Sequence, residues 1–189
     1  MQQSDEELMS EYQAGNGEAL KMLFTRYRTP LFNFGLRILQ NRADAEDVVG
    51  EVFLMILSNA KCYKPQAKFS TWLYTVVRNR SISRIRLRRG FWMDWLGTGS
   101  QEDIILRAED PGPSGDKVLQ DKEMKGHIQT AIAKLPLAQK EAIVLREYEG
   151  LSYDEIREIL GCSLEKVKIL IFRARENLRK QLGPALKGE

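Results

Sequence analysis

A block of cations between residues 61 and 90 is the feature of this sequence best suited to binding a charged ligand. Nine lysines and arginines occur there without one acidic residue. Solvated helix faces usually mix both signs of charge, so an unmixed block predicts contact with a polyanion. The nine are Lys61, Lys64, Lys68, Arg78, Arg80, Arg84, Arg86, Arg88 and Arg89.

A second basic segment lies near the C-terminal end of the sequence. From residue 163 onward seven bases face three acids, whereas residues 98–116 carry five acids and one base. Two basic blocks on either side of an acidic stretch predict two polyanion-binding modules on one tether. The alternative is that both blocks are ordinary solvated helix faces.

The sequence offers few groups for catalysis. Its one histidine, His127, and its two cysteines, Cys62 and Cys162, are too few for a histidine–cysteine metal cluster. No glycine-rich loop that could hold a phosphate is present. We therefore expect no enzyme, no metal and no cofactor, with both cysteines reduced and His127 on a helix surface.

Composition and hydropathy indicate an intracellular globular protein. Hydrophobic residues make up 43% of the chain and charged residues 29%. No apolar run approaches the ~18 residues of a membrane span. The first ten residues are acidic and polar, unlike a secretory signal, so we expect a cytoplasmic location.

Apolar residues at helical spacing dominate both halves of the chain. We predict an all-α fold of two small helical domains, at residues 1–90 and 118–183. Proline, glycine and acidic residues predict a linker at 91–117 between them. Trp92 and Trp95 in that linker either dock on a protein surface or extend the preceding helix.

The helix predicted after Phe69 has two distinct faces. Its apolar stripe is Phe69, Trp72, Leu73, Val76 and Val77. This stripe places Thr71, Tyr74 and Arg78 on the opposite, exposed face, where Tyr74 either stacks on a base or packs partly against the surface.

In the preceding segments we expect Pro30 to interrupt one helix and Asn41 to cap the next.

The C-terminal half predicts two helices joined by a tight turn. Ser152 and Glu155 form a capping-box pattern, Gly161 supplies the turn and Ser163 can cap the second helix. A short helix, a glycine turn and a longer basic helix are typical of a helix-turn-helix. The alternative is a plain helical hairpin inside a bundle.

Cations and apolar residues share the predicted outer face of this second helix. Ile169 and Phe172 lie opposite its core stripe, beside Lys168 and Arg173. Such a face suits phosphates, guanine and thymine methyl groups in DNA. It would also suit a protein partner.

Three strings in the sequence carry a family resemblance. They are DAEDVVGEVF (44–53), KFSTWLYTVVRNRSISRIRLRR (68–89) and LREYEGLSYDEIREILGCSLEKVKILIFRARENLRKQL (145–182). Their combination and order resemble a bacterial alternative sigma factor of the extracytoplasmic-function group. The resemblance covers nearly the whole chain. The remaining alternative is a free-standing helix-turn-helix regulator that binds duplex DNA by itself.

The resemblance implies partners and sites for the first domain. Asp47 and Glu51 would contact the clamp helices of core RNA polymerase, near Gly50, where the family often has glutamine. The loop Lys61–Lys68 would hold a base taken out of the stack. The residues implied at the minus-ten element of promoter DNA are Lys61, Lys64, Lys68, Tyr74, Arg78, Asn79, Arg80, Arg84 and Arg88.

For the second domain the resemblance implies binding to the minus-thirty-five element. The residues implied in that contact are Lys168, Ile169, Phe172 and Arg173. Members of this family are commonly held inactive by an anti-sigma factor, which is therefore the third expected partner.

Overall fold

Eight α-helices account for the regular structure of the computed structural model, which describes residues 3–64, 66–96 and 116–186. A short 3-10 turn at Ala60–Cys62 follows the third helix. The all-α prediction is confirmed. The helices are α1 (Asp5–Gln13), α2 (Gly17–Leu39), α3 (Arg42–Ser58), α4 (Phe69–Leu96), α5 (Asp116–Ala133), α6 (Leu137–Glu147), α7 (Tyr153–Leu160) and α8 (Leu164–Leu186).

The chain divides into two compact units, residues 1–100 and 101–189. Helix α4 continues through residues 91–96, which the sequence assigned to the linker, and α5 begins at Asp116. The segment 91–96 has no proline, and Gly90 alone costs a helix only about 1 kcal/mol. The backbone at Trp92 and Trp95 therefore extends the preceding helix. Residues 97–115 lie outside the described residues.

In the first unit α2 packs against α1, α3 and α4. Leu23, Leu31 and Phe34 of α2 are fully buried, on both sides of Pro30. The expected interruption at Pro30 is wrong, because α2 runs unbroken through it. Proline removes one backbone hydrogen bond from the helix. Burial of apolar side chains before and after it offsets that loss.

The caps that the sequence predicted lie where expected. The Asn41 side-chain oxygen accepts a hydrogen bond from the Asp44 amide at 2.9 Å and begins α3. Ser152 and Glu155 form the capping box of α7, and the Ser163 hydroxyl accepts from the Lys166 amide. Gly161 adopts φ +62°, a left-handed conformation that glycine reaches without steric cost.

The second unit is organised around α8, which packs against α5, α6 and α7. Val167, Ile171 and Ala174 form the buried stripe of α8. Helix α7 buries Ile156 and Ile159 against it. The short helix, the turn and the longer helix form the predicted helix-turn-helix. His127 lies exposed on α5, as expected.

The buried face of α4 differs from the predicted one. Tyr74 is only 4% exposed, and its ring packs edge-on against Phe34 with centroids 5.5 Å apart. Thr71 is buried as well, whereas Val76 is half-exposed. Leu73 and Val77 lie on both the predicted and the observed stripe. The spacing alone does not determine whether Val76 or Tyr74 is buried beside them. The placement of Tyr74 on an exposed face is therefore wrong.

Candidate nucleic-acid and polymerase interfaces

Carboxylates of α3 and arginines of α4 form an ion-pair network along the line where the two helices meet, here called the α3–α4 clasp. Arg84 is its centre and contacts three carboxylates. It pairs closely with Glu51 and lies 3.3 Å from carboxylate oxygens of both Asp44 and Asp47. The members of the clasp are Asp44, Asp47, Glu51, Arg80, Arg84 and Arg88.

Two outer arginines extend the clasp in both directions. Arg80 donates to Glu51 at 2.8 Å, and Arg88 donates to Asp44 at 2.9 Å. The hydrogen bond to Glu51 is the main reason why the pKa of Arg84 is raised above its ordinary value. Positions 80, 84 and 88 face positions 51, 47 and 44 because the helices run antiparallel and each set repeats about once a turn.

The clasp changes the expectation for three of the predicted minus-ten residues. Arg80, Arg84 and Arg88 were expected to face DNA, but their guanidinium groups are engaged by acids of the same unit. Three arginines and three carboxylates also cancel in charge. The clasp therefore adds no net positive charge to this surface.

Five of the six remaining predicted minus-ten residues lie at the surface, whereas Tyr74 is buried. Lys61, Lys64, Lys68 and Asn79 are exposed, and Arg78 is half-exposed. Lys61 belongs to the 3-10 turn, and Lys64 follows it. The structure thus keeps the lysines of the loop together on one short connection between α3 and α4. Cys62, in the same turn, is a free, half-buried thiol whose pKa is raised by burial.

The outer face of α3 combines acidic and apolar side chains. Asp47 is 63% exposed, whereas Glu51 is held by Arg80 and Arg84. Leu54 and Leu57 of the same helix are 64% and 61% exposed. Sequence reasoning did not single out these leucines. The available signal was that both lie off the apolar stripe of α3.

Helix α8 presents the four predicted minus-thirty-five residues together. Lys168, Ile169, Phe172 and Arg173 are all exposed, with Phe172 exposed by 66%. They occupy the side of the helix opposite its buried stripe. A large exposed aromatic ring between two cations is a surface suited to a ligand rather than to water.

Other charged residues of α8 are engaged locally. Arg175 donates to Glu147 of α6 at 2.7 Å, and Arg179 pairs with Glu176. Lys168 and Arg173 form no salt bridge with the side chains described at residues 124–183. Near the start of the helix, a backbone amide and the Ser163 hydroxyl lower the pKa of Glu165. The cations of the predicted contact face are therefore not held by the salt bridges that engage Arg175 and Arg179.

Replacing Arg84 by methionine should destabilise the first unit by about 1–2 kcal/mol. Three carboxylates lose their shared partner. Exposed ion pairs contribute ~0–1 kcal/mol to stability, and breaking a buried pair costs ~3–5 kcal/mol. Because this network is half-buried, we expect a cost between those two values. Urea unfolding followed by tryptophan fluorescence measures this, since all three tryptophans (72, 92 and 95) lie in the first unit.

The matched control for Arg84 is Arg86→Met, because Arg86 is an exposed arginine of α4 that lies outside the clasp. Its replacement should change the unfolding free energy by less than about 0.5 kcal/mol. Raising the salt concentration should reduce the difference in unfolding free energy between wild type and Arg84→Met, because salt screens ion pairs. Equal stabilities of the two variants at low salt would contradict a structural role for the clasp.

Comparison with known protein families gives a match in each unit. Residues 23–90 match the Sigma-70 region 2 family, and residues 126–178 match the Sigma-70 region 4 family. The first match spans most of α2, α3 and α4. The second match contains the helix-turn-helix. None of the described helices is long and apolar enough to cross a membrane.

Relatives align with the chain over most of its length. It is 33% identical to the ECF RNA polymerase sigma factor SigW of Bacillus subtilis, with 89% of this chain and 91% of that protein aligned. It is 30% identical to the ECF RNA polymerase sigma-E factor of Haemophilus influenzae, with 98% of each chain aligned.

A solved structure of similar fold is that of the sigma factor RpoE from Bartonella quintana in complex with the anti-sigma factor NepR. Its TM-score is 0.66 at 25% identity, covering 86% of this chain and 96% of that one. A second, CnrH with the cytosolic domain of CnrY, has a TM-score of 0.71 at 22% identity and covers 96% and 99% of the two chains. With two family matches in order and relatives aligned nearly end to end, this chain belongs to the extracytoplasmic-function RNA polymerase sigma factors, alternative initiation factors that bind core polymerase and promoter DNA.

Proposed function

We propose that this sigma factor divides promoter recognition between its two units. The first unit binds core polymerase and the minus-ten element, and α8 of the second unit binds the minus-thirty-five element. The observation that carries the proposal is the exposed face of α8. There Lys168, Ile169, Phe172 and Arg173 lie together, outside the salt bridges that engage Arg175 and Arg179.

On α8 the four side chains divide the work by their chemistry. Lys168 and Arg173 supply charge to phosphate, and Arg173 can also donate two hydrogen bonds to a guanine edge. Ile169 and Phe172 supply apolar contact with thymine methyl groups or sugars. A recognition helix in the major groove uses such a mixed face to combine affinity with base preference.

At the minus-ten element we assign direct contacts to Lys61, Lys64, Lys68, Arg78 and Asn79. The lysines track the backbone of a separated strand, for which positive charge is the main source of affinity. The arginines of the clasp have a structural role in this proposal, since their charges are neutralised by α3. Tyr74 has no place in it, because its ring is in the core.

Polymerase binding is assigned to the outer face of α3. Asp47 is the leading residue because its carboxylate is largely exposed, and Glu51 contributes from its place in the clasp. Leu54 and Leu57 lie further along the same helix and add apolar area to the contact. An acidic helix face with adjoining leucines suits a basic partner surface that also has apolar side chains.

The proposed function includes a regulatory partner and a cellular location. The solved structure of RpoE contains the anti-sigma factor NepR, and we propose that an anti-sigma factor likewise covers this chain when the genes that depend on it are not needed. We also propose that the chain acts in the cytoplasm, with the polymerase and the chromosome, and that it contributes binding but no catalysis.

The test of this division is Arg173→Ala in a run-off transcription assay with core polymerase. We expect the variant to produce about tenfold less transcript from a promoter that depends on its minus-thirty-five element, because one charged contact to DNA contributes ~1–3 kcal/mol. Lys180→Ala, an exposed cation of α8 that lies about two turns beyond Arg173 along the helix, is the matched control. Equal output from wild type and Arg173→Ala would contradict the assignment. Tight, specific duplex binding without polymerase would favour a free-standing regulator.

A further inference from the structure

Helix α1 contacts both ends of the segment that carries the loop lysines. Gln13 donates its side-chain amide to the carbonyls of Ala60, at 2.8 Å, and Tyr63, at 3.1 Å. At the other end, a Glu6 carboxylate oxygen accepts the backbone amide of Phe69 at 2.9 Å. Residues 60–64 and 66–69 are thus held at their start and their finish by one helix.

These contacts add hydrogen-bond partners at the ends of the neighbouring helices. The first-turn amides of a helix have no acceptor within the helix itself, and Glu6 supplies one to the Phe69 amide of α4. Glu6 also places a negative charge at the positive end of that helix. At the end of α3, the Tyr12 hydroxyl donates to the carbonyl of Leu57 at 3.2 Å. Helix α1 therefore closes the end of α3 and the beginning of α4.

Helix α1 is itself firmly attached to the first unit. Leu8 and Met9 are fully buried, and Asp5 accepts from both Arg26 and the Tyr27 hydroxyl. An anchored helix can hold a connecting segment in one conformation, because its own side chains do not have to be ordered at the moment of binding.

The segment also has hydrogen bonds of its own, including those from the Lys61 amide to the Asn59 side-chain oxygen and from the Gln66 amide to the Lys64 carbonyl. The Cys62 backbone amide donates to the Asn59 carbonyl, and the Tyr63 hydroxyl donates to the Ala67 carbonyl at 2.8 Å. The Tyr63 ring packs edge-on against Phe69 and Trp72, with both centroid distances 5.3 Å. The backbone carbonyls of Ala60 and Tyr63 point to Gln13, whereas Lys61 and Lys64 are exposed.

We propose that α1 is a positioning element for promoter opening, in which Gln13 and Glu6 hold residues 60–64 and 66–69 in the conformation that accepts an unpaired minus-ten base. This inference rests on the proposed function of that segment at the minus-ten element. Neither residue touches DNA. Without the anchors the competent conformation is a smaller fraction of the population, and apparent affinity for the unpaired base falls by that fraction.

The experiment uses full-length protein reconstituted with core polymerase on a promoter that carries a fluorescent base analogue in the minus-ten element. The readout is the rate of base unstacking on the preferred sequence divided by that on a sequence with one substituted minus-ten base. We expect Gln13→Ala and Glu6→Ala each to lower this discrimination about five- to tenfold. Their affinity for core polymerase and for minus-thirty-five duplex should be unchanged.

Conservative variants separate a lost hydrogen bond from a general weakening of the fold. Glu6→Gln keeps an oxygen that can accept the Phe69 amide, so it should retain discrimination. Gln13→Glu keeps the shape but cannot donate, so it should behave like Gln13→Ala. Ser10→Ala, on an exposed position of α1, is the control that should match wild type.

Each outcome decides the matter. If a Lys61→Ala, Lys64→Ala double variant opens the promoter normally, the segment does not act on DNA, and the proposed function and this inference both fail. If the lysine variant is defective but Gln13→Ala and Glu6→Ala discriminate like wild type, the inference alone is overturned. It is also overturned if Glu6→Gln is as defective as Glu6→Ala. Should Glu6→Ala not fold, Gln13→Ala and Gln13→Glu decide from the other end of the segment.

Discussion

Asp47→Lys should weaken binding to core RNA polymerase by about 100-fold or more while leaving the protein folded. Reversing a charge removes an attraction and places a cation against the basic surface that we propose on the polymerase, and truncating or reversing a paired charge at an interface costs ~2–5 kcal/mol. The carboxylate is 63% exposed and its one described ion pair, to Arg84, spans 3.3 Å. Its loss should therefore cost less than about 1 kcal/mol of stability.

The matched control for this prediction is Glu46→Lys. Glu46 neighbours Asp47 on α3, is exposed and pairs only with Arg42 one turn earlier among the described residues. The change in net charge is identical, but position 46 is about 100° around the helix from position 47. Polymerase affinity measured by fluorescence anisotropy should fall for Asp47→Lys alone. An equal loss for both variants would show that total charge, and not this face of α3, determines the binding.

Tyr74→Ala should destabilise the first unit by about 3–5 kcal/mol. The ring is 4% exposed and packs against Phe34, so its removal leaves a cavity in the core between α2 and α4. For a unit of this size that loss corresponds to a fall in Tm of more than about 12 °C. Tryptophan fluorescence during heating or urea unfolding follows the first unit by itself.

Tyr74→Leu distinguishes a core residue from a base-stacking one. Leucine fills most of the volume but cannot stack on a base, so we expect a moderate loss of stability, about 1–3 kcal/mol. Where the variant is folded, at low temperature, promoter opening should equal that of wild type. A folded Tyr74→Leu protein that fails to open promoters would contradict the core assignment and restore a role for the ring in DNA binding.

The buried stripe of α4 shows where helical periodicity stops being informative. Leu73 and Val77 fix the middle of the stripe, but either Val76 or Tyr74 can flank them at similar angles. The partner ring of Phe34, forty residues earlier in the chain, decides between them. That contact depends on how α2 crosses α4, which no local pattern contains.

In the α3–α4 clasp, acids of one helix neutralise arginines of another. The block of nine cations correctly marked a helix rich in arginine, and the acids at positions 44, 47 and 51 stand in a separate segment of the sequence. What the sequence does not contain is the antiparallel pairing that brings Arg84 within reach of all three. A run without acids can therefore be neutralised by a different segment, and charge counted along the chain overestimates the charge that DNA meets.

The amino-acid sequence by itself determined the all-α class, the helix-turn-helix with its caps and Gly161 turn, the exposed face of α8 and the family. All of these depend on residue types and on spacing within one or two helices, where backbone geometry is regular. Only the tertiary structure decided that Tyr74 is a core residue, that three arginines are held by α3 and that α1 contacts Ala60, Tyr63 and Phe69. The physical reason is that packing and ion pairs between distant segments depend on how helices are placed in space, and that placement is set by the whole core at once.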